Sequence, residues 1–335
     1  MRTICLLTGL MLLAMSSFAQ KITRGPNVGE IYFIGPTYSG WGIYYSTDYG
    51  ETAICMDSTI TTDVICISAD KTPGTIYYAT MFQSLFISYD YGNQGTWTLQ
   101  NGGICDDLKS GRNEGEIYAC FSMQSNDYGE NFIYHTGIGF FGSLKSFSID
   151  AINENIGYAI ASKTNIPDSI FLFYTSDNFE NLVVKKVFTF PNGHKFVSSR
   201  GVNSGELFMF NLNRLELYYS NDFAENFTLI EYYNFDNSFY PLTIVGGRDD
   251  GELYLLYESV NMLWENANTY ILHSTDYGVT FTVYHPFAKG QEPLFANFSG
   301  ITDTNDSFSK NPIPKYGGAP LDVQFHNYSI GDITS

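Results

Sequence analysis

Carboxylates, arginines and exposed-type aromatics gathered at turn positions are the residues here with chemistry to offer. Glu258 and Asp168 are of the kind that serve as acid and base in glycoside hydrolysis, one protonating the leaving oxygen and the other attacking or activating water. Tyr38, Trp41, Phe82, Phe140, Phe141, Tyr232, Tyr233 and Trp264 present flat faces suited to stacking on sugar rings. Glu231, Asp236 and Glu265 stand near them to bond hydroxyls. Arg24, Arg112, Arg200 and Arg248 sit at glycine-bearing turns, and Arg214 lies in a different kind of loop. Ordinary packing competes with each of these roles, because 17% of the chain is aromatic and most such rings must be core or loop residues. No pair has a spacing that singles out a catalytic centre, so the catalytic residues stay unassigned.

The remaining reactive types point away from metals and cofactors. Cys5 falls in the leader, and Cys55, Cys66, Cys105 and Cys120 follow it, with no CxxC spacing among them. His135, His194, His273, His285 and His326 do not cluster with them, so neither a metal site nor a cofactor is expected. An even count in an exported chain permits two disulfides, Cys105 with Cys120 and Cys55 with Cys66 being the candidate pairs, or simply buried thiols. A formal net charge of −18 argues against nucleic acid and anionic membrane surfaces as partners.

These residues must be positioned by a repeated hairpin. Ser274-Thr275-Asp276-Tyr277-Gly278-Val279-Thr280-Phe281 recurs at Ser46-Thr47-Asp48-Tyr49-Gly50, Ser88-Tyr89-Asp90-Tyr91-Gly92 and Ser125-Asn126-Asp127-Tyr128-Gly129. Looser copies are Thr175-Ser176-Asp177-Asn178-Phe179 and Ser220-Asn221-Asp222-Phe223-Ala224. The Asp carboxylate is expected to accept from backbone N–H groups two or more residues on, and the Gly to supply a positive φ. A second motif runs in phase: Gly29-Glu30-Ile31-Tyr32 has counterparts starting at Gly74, Gly115, Asn155, Gly205 and Gly251. Those starts lie 45, 41, 40, 50 and 46 residues apart. A period near 45 residues matches a four-stranded propeller blade. In the second unit the strands read Val64–Ser68, Thr75–Thr80, Ser84–Ser88 and Thr96–Leu99.

The turns resemble Asp-box (BNR) repeats, which occur in sialidases, sortilin-like receptors, xyloglucanases and photosystem assembly factors. The resemblance implies an all-β propeller whose boxes join the third and fourth strands (C and D) of each blade, with Asp48, Asp90, Asp127, Asp177, Asp222 and Asp276 in structural roles. Six blades are expected, with seven, one degenerate, as the alternative. Only Lys21 to Arg24 precede the first Gly29 motif, so the apolar run Pro293 to Phe298 is expected to return as the first strand of blade one and close the ring.

Residues 1–19 read as a secretory signal, with Arg2, an apolar stretch from Ile4 to Met15 and a cut before Gln20. Its apolar part is too short to span a bilayer, so no membrane insertion is expected. The propeller is expected over 20–302. The segment 303–335, through Asn311-Pro312 and Gly317-Gly318 to the strand Leu321 to Phe325, resembles the opening of the C-terminal sorting domain of Bacteroidetes type IX secretion clients. That implies a secreted or cell-surface protein recognised by that machinery. Lys310 departs from the pattern, and the chain stops at Ser335, so a truncated tail or a β-rich linker is expected.

Blade topology sorts the candidates by face. The A–B and C–D turns share one face, which places Arg24, Arg112, Arg200 and Arg248 with the boxes. In sialidases the carboxylate-binding arginines lie on the other face, so this set does not make a sialidase triad. Arg214, Tyr38, Trp41, Phe140, Tyr232, Tyr233, Glu258 and Trp264 fall on the opposite face. The expected function is a non-catalytic exported propeller binding a glycan or protein partner there. A xyloglucanase-like or sialidase-like glycoside hydrolase using loop carboxylates is the alternative.

Overall fold

A computed structural model describes residues 20–286, apart from 38–39, 61–63, 81–83, 101–106, 120–122, 136–142, 154, 164–165, 190–194, 233–238 and 260–268. The chain divides after Pro286 into two units, of which only the first is described. Alternating apolar residues, bounded by Gly, Asn and Asp turns, pair into six sheets of four antiparallel strands, each in simple chain order. Blade 1 holds β1 (Ile22–Arg24), β2 (Ile31–Thr37), β3 (Gly40–Ser46) and β4 (Ile54–Asp57). Blade 2 holds β5 (Val64–Ala69), β6 (Ile76–Thr80), β7 (Leu85–Ser88) and β8 (Thr98–Gln100). Blade 3 holds β9 (Leu108–Ser110), β10 (Ile117–Ala119), β11 (Met123–Ser125) and β12 (Ile133–Tyr134). Blade 4 holds β13 (Ser143–Ile149), β14 (Gly157–Lys163), β15 (Ile166–Thr175) and β16 (Val183–Thr189). Blade 5 holds β17 (Phe196–Arg200), β18 (Leu207–Asn211), β19 (Glu216–Ser220) and β20 (Thr228–Tyr232). Blade 6 holds β21 (Phe239–Gly246), β22 (Leu253–Ser259), β23 (Thr269–Ser274) and β24 (Thr282–Tyr284).

First strands lie beside one another from β13 through β17, β21, β1 and β5 to β9, and blade 3 meets blade 4 through Arg112 and through Tyr118 packed with Phe147, so the ring is a closed six-bladed propeller. Cores form between blades. Ile34 and Ile43 of blade 1 pack with Ile67 and Ile76 of blade 2, and Ile160 and Leu172 of blade 4 pack with Leu207 and Met209 of blade 5. Each such side chain contributes roughly 1.5–3 kcal/mol by leaving water. The outermost strands keep apolar residues in solvent, among them Ile54, Leu99, Val183 and Val283.

Closure departs from the expectation in one respect. The first strand of blade 1 is Ile22–Arg24, paired with β2 from Ile22↔Phe33 to Arg24↔Ile31, so Pro293 to Phe298 does not fill that place; that run lies outside the described residues. Three residues suffice because the blade also leans on its neighbour. The Ala69 N–H donates to the Thr23 hydroxyl at 3.2 Å, and the Ile67 N–H to the Gln20 carbonyl at 2.8 Å. A second correction concerns sulfur. Cys55 on the outermost strand β4 carries a free thiol, and Cys66 is buried on the innermost strand β5 of the next blade. Three strand spacings, about 14 Å, lie across a blade, far beyond the reach of a disulfide. Cys105 and Cys120 lie outside the described residues.

The A–B turns follow a rule of exclusion. Glu30, Glu116, Glu206 and Glu252 fold back under Gly25, Gly111, Gly201 and Gly247, where an added Cβ would meet the Glu side chain at 2.5, 2.2, 2.3 and 2.0 Å. In blades 2 and 4 the glycine's place is taken by Asp70 and Asp150, and the Glu's place by Thr75 and Ile156. One buried carboxylate per turn is the constant. Gly247→Ala should therefore cost about 1–3 kcal/mol of stability through overpacking. That cost should largely vanish in a Glu252→Ala background, which a double-mutant cycle of thermal unfolding will read out.

Candidate functional site

Each repeated Asp turn is held by two side chains, and the Ser or Thr two residues before the Asp is as central as the carboxylate. The Ser46 hydroxyl donates to Asp48 Oδ1 at 2.8 Å and accepts the Gly50 N–H at 2.9 Å. Asp48 Oδ1 accepts from the Thr52 N–H at 2.9 Å, and Oδ2 from the Thr52 hydroxyl at 2.6 Å. The same pattern recurs at Asp127 with Asn131, Asp177 with Asn181, Asp222 with Asn226 and Asp276 with Thr280. Blade 2 differs because of its insertion: the Ser88 hydroxyl pairs with that of Thr96 at 2.7 Å. Two successive residues take positive φ, as at Tyr49 (64°) and Gly50 (92°). Phe179 (68°) and Ala224 (63°) tolerate it where the glycine is missing.

The Asp and A–B turns share one face in every blade. Tyr49, Tyr91, Tyr128, Asn178, Phe223 and Tyr277 each donate a backbone N–H to the A–B turn of their own blade, at 2.8–3.2 Å. This face is closed by its own bonds. The A–B acids accept from turn N–H groups and from tyrosines two residues on, in the second strand: Tyr32 to Glu30 at 2.9 Å, Tyr118 to Glu116 at 2.7 Å and Tyr254 to Glu252 at 2.6 Å. Burial works against ionising Glu252, but hydrogen bonds from His273, Tyr254 and two backbone N–H groups outweigh it and hold the carboxyl down to about 2. Asp70 and Asp150 reach forward one blade, to the Gly115 N–H at 2.9 Å and the Gly205 N–H at 2.6 Å.

The arginines of this face are spent on backbone carbonyls. Arg24 donates to Gly246 O at 3.2 Å, to Gly247 O, and to Gly201 O at 3.5 Å. Arg200 donates to Gly111 O at 2.9 Å, Ser110 O at 3.1 Å and Asp150 O at 3.3 Å. Arg112 reaches Asn153 O at 2.9 Å and pairs with Glu116 at 3.0 Å, while Arg248 Nε donates to Gly25 O at 2.7 Å. Burial lowers the proton affinity of Arg24, and the charges of Arg200 and Arg248 lower it further. Arg200 falls to about 10, through burial first and then Arg248 and Arg112. Lys71, a fifth cation at an A–B turn, is shifted down by burial and by Arg200, Arg248 and Arg24. The sequence places the four arginines on the correct face but does not disclose that they reach between blades, nor that Lys71 joins them.

On the opposite face, Trp41 lies across from Pro36, partly buried, with the Lys21 ammonium 4.6 Å from its ring centroid. Arg214 is half-exposed in the turn between β18 and β19, 3.4 Å from Glu216 Oε1. Asp168 is exposed on β15 of blade 4, and Glu258 pairs with Tyr240 and Thr269 on β22 of blade 6, so blade 5 lies between them in chain order. Tyr232 pairs with Glu216 at the end of β20. Tyr38, Phe140, Tyr233 and Trp264 lie outside the described residues. Among the described residues no three His, Cys, Asp or Glu side chains gather as metal ligands.

The architecture is that of a six-bladed β-propeller. No family model and no curated protein matches the chain. Among solved structures, a GH74 xyloglucanase from Xanthomonas campestris is similar at a TM-score of 0.51 and 11% identity, over 80% of this chain and 45% of its own. YCF48 bound to D1 peptide is similar at 0.46 and 12%, over 80% of this chain and 81% of its own. A GH74 enzyme from Niastella koreensis gives 0.42 and 16%, over 70% and 35%. At these identities the likeness is one of fold.

The Asp turns carry a pH signature. Hydrogen bonds from Asn131 and Asn181, side chain first and then backbone, hold Asp127 and Asp177 below the usual carboxylate range. At Asp48 and Asp276 burial opposes the shift, and bonds from Thr52 and Thr280 prevail. The stability these groups add is complete above their unfolded values, about pH 4, and is lost as pH falls through the lower folded values. An Asp127→Asn, Asp177→Asn variant should show a shallower fall of stability with pH below about 4, measured by urea unfolding. Asp276→Ala should cost about 1–2 kcal/mol, by analogy with a lost helix cap, at any pH above that range.

Proposed function

We propose that this chain is an exported, non-catalytic propeller of the Asp-box class that binds a glycan or protein partner on the face opposite the Asp turns. The supporting observation is the closure of the Asp face: its turn acids bond turn N–H groups and its arginines bond backbone carbonyls. Connections on the opposite face differ in length instead. Residues 38–39 join β2 to β3, whereas 260–268 join β22 to β23 and include Trp264. Irregular loops on a rigid scaffold are where binding usually resides. The leader over 1–19 and the tail over 303–335 support the export part of the reading; N-terminal sequencing of secreted protein should begin at Gln20.

A glycan array probed with the purified chain, followed by pull-down on cell-surface proteins, tests the binding reading. Trp41→Ala with Trp264→Ala should weaken whatever binding is found by about tenfold or more, the size of a lost aromatic anchor. Arg112 and Arg248 are poor controls, since each is bonded to a carbonyl of a neighbouring blade and its loss perturbs the scaffold. Exposed Tyr89 and Val279, on Asp turns, serve instead, and their alanine variants should bind normally. Binding lost in those variants but kept in the tryptophan pair reverses the face. Release of reducing sugar from xyloglucan at a rate abolished by Glu258→Gln replaces the binding reading with the hydrolase one.

A further inference from the structure

A small cavity lies on the axis, at the Asp-face end of the first strands, and its lining is built for an anion. Thr23, Arg24, Ser110, Ser148, Ser199 and Arg200 contribute to a space of about 30 Å³, room for a water or two or a single halide. Thr23, Ser148 and Ser199 occupy one layer, each paired with the buried aromatic of its second strand: Thr23↔Tyr32, Ser148↔Tyr158 and Ser199↔Phe208. Ser68↔Tyr77 holds the same register position, and the buried Ser68 hydroxyl finds no hydrogen-bond partner among the described residues.

Donors outnumber acceptors here. Thr23 accepts the Ala69 N–H group at 3.2 Å, which turns its hydroxyl proton toward another acceptor, whereas Ser199 accepts the Gly246 N–H at 2.9 Å and donates to the Arg200 carbonyl at 3.3 Å. Ser110 and Ser148 make no side-chain hydrogen bond to another described residue. Lys109, also at the lining, is already committed to Asp107 at 3.3 Å and to the Gln20 amide oxygen. Arg24 and Arg200 are buried, and among the described residues no carboxylate ion-pairs with either. Among the described residues no carboxylate lines the cavity. Buried charges are ordinarily paired, and these two guanidiniums bond only carbonyls directly, with the Glu252 and Glu116 charges acting on them without a direct ion pair.

We infer that the axial cavity is a halide-class anion site, in which Arg24 and Arg200 supply the charge and the Thr23, Ser110 and Ser148 hydroxyls supply hydrogen bonds to one chloride. The ion is a structural ligand. It neutralises the cations that join the blades, and the folded ring alone assembles its donors.

The melting temperature of the purified chain, measured against chloride at constant ionic strength with methanesulfonate as balancing anion, tests this. It should rise and saturate, by about 5 °C at a hundred times the dissociation constant. Crystals soaked in bromide should show an anomalous peak among Ser148, Ser199 and Arg200. Ser148→Ala removes one oxygen and should weaken the chloride dependence about tenfold, the loss expected for a hydrogen bond to a charge. Arg200→Gln should abolish it, and Ser148→Ala decides the matter if that variant fails to fold. Arg214→Gln, a half-exposed cation on the other face, should keep the full response. A melting temperature indifferent to exchanging chloride for methanesulfonate, or a cavity holding only water in the bromide-soaked crystal, overturns the site.

Discussion

Closing a ring of blades around a narrow axis brings six A–B turns together, with their carbonyls facing inward and little water to satisfy them. The arginines solve that problem. Arg24 starts in blade 1 and bonds carbonyls of blades 6 and 5, and Arg200 starts in blade 5 and bonds carbonyls of blades 4 and 3. Arg112 ties blade 3 to blade 4, and Arg248 returns from blade 6 to blade 1. A guanidinium offers five donors in a rigid fork, so one side chain reaches several carbonyls at once where lysine would act as a point charge. Blade 2 is joined by other means, through Asp70 to blade 3 and through the Ala69 and Ile67 N–H groups to blade 1.

Arginines so placed need carboxylates near by, and the exclusion rule of the A–B turns supplies one in every blade. A glycine makes room for Glu, or an Asp stands at the glycine's own position and bonds forward to the next blade. Either way the acid accepts backbone N–H groups, and at Glu116 and Glu252 these bonds together with a tyrosine hydroxyl stabilise the charged form despite burial. Tyr158 shows the cost of the alternative. In blade 4, where Ile156 replaces the Glu, its hydroxyl is buried without a partner among the described residues. The two faces are thereby set apart: one is fixed by carboxylates and guanidiniums repeated around the ring, and the other is left to connections of unequal length.

Much of this was legible in the chain. Strand order, blade number and the placing of Arg112 and Arg248 with the Asp turns follow from motifs repeated within single blades, and the second blade's strands fall within two residues of expectation. Hydrophobic alternation and turn chemistry act over a few residues, so they leave a local record. The candidate ligand residues were less accessible for a related reason. Trp41 and Glu258 sit on strand ends next to the second connections and Arg214 within one, all outside the repeated motifs, and nothing periodic relates one to another.

What the sequence determined by itself is the blade: four strands, a repeated Asp turn between the third and fourth, and a second motif in phase that opens the second strand. What only the tertiary structure decided is how blades become a ring. Residues 22–24 complete the first blade, Cys55 and Cys66 fall on strands too far apart to join, and Arg24 and Arg200 converge on a hydroxyl-lined cavity. The physical reason is distance along the chain. Arg24 bonds carbonyls 177 to 223 residues away, and contacts of that range arise only when the axis closes, without any trace in the local pattern of residues.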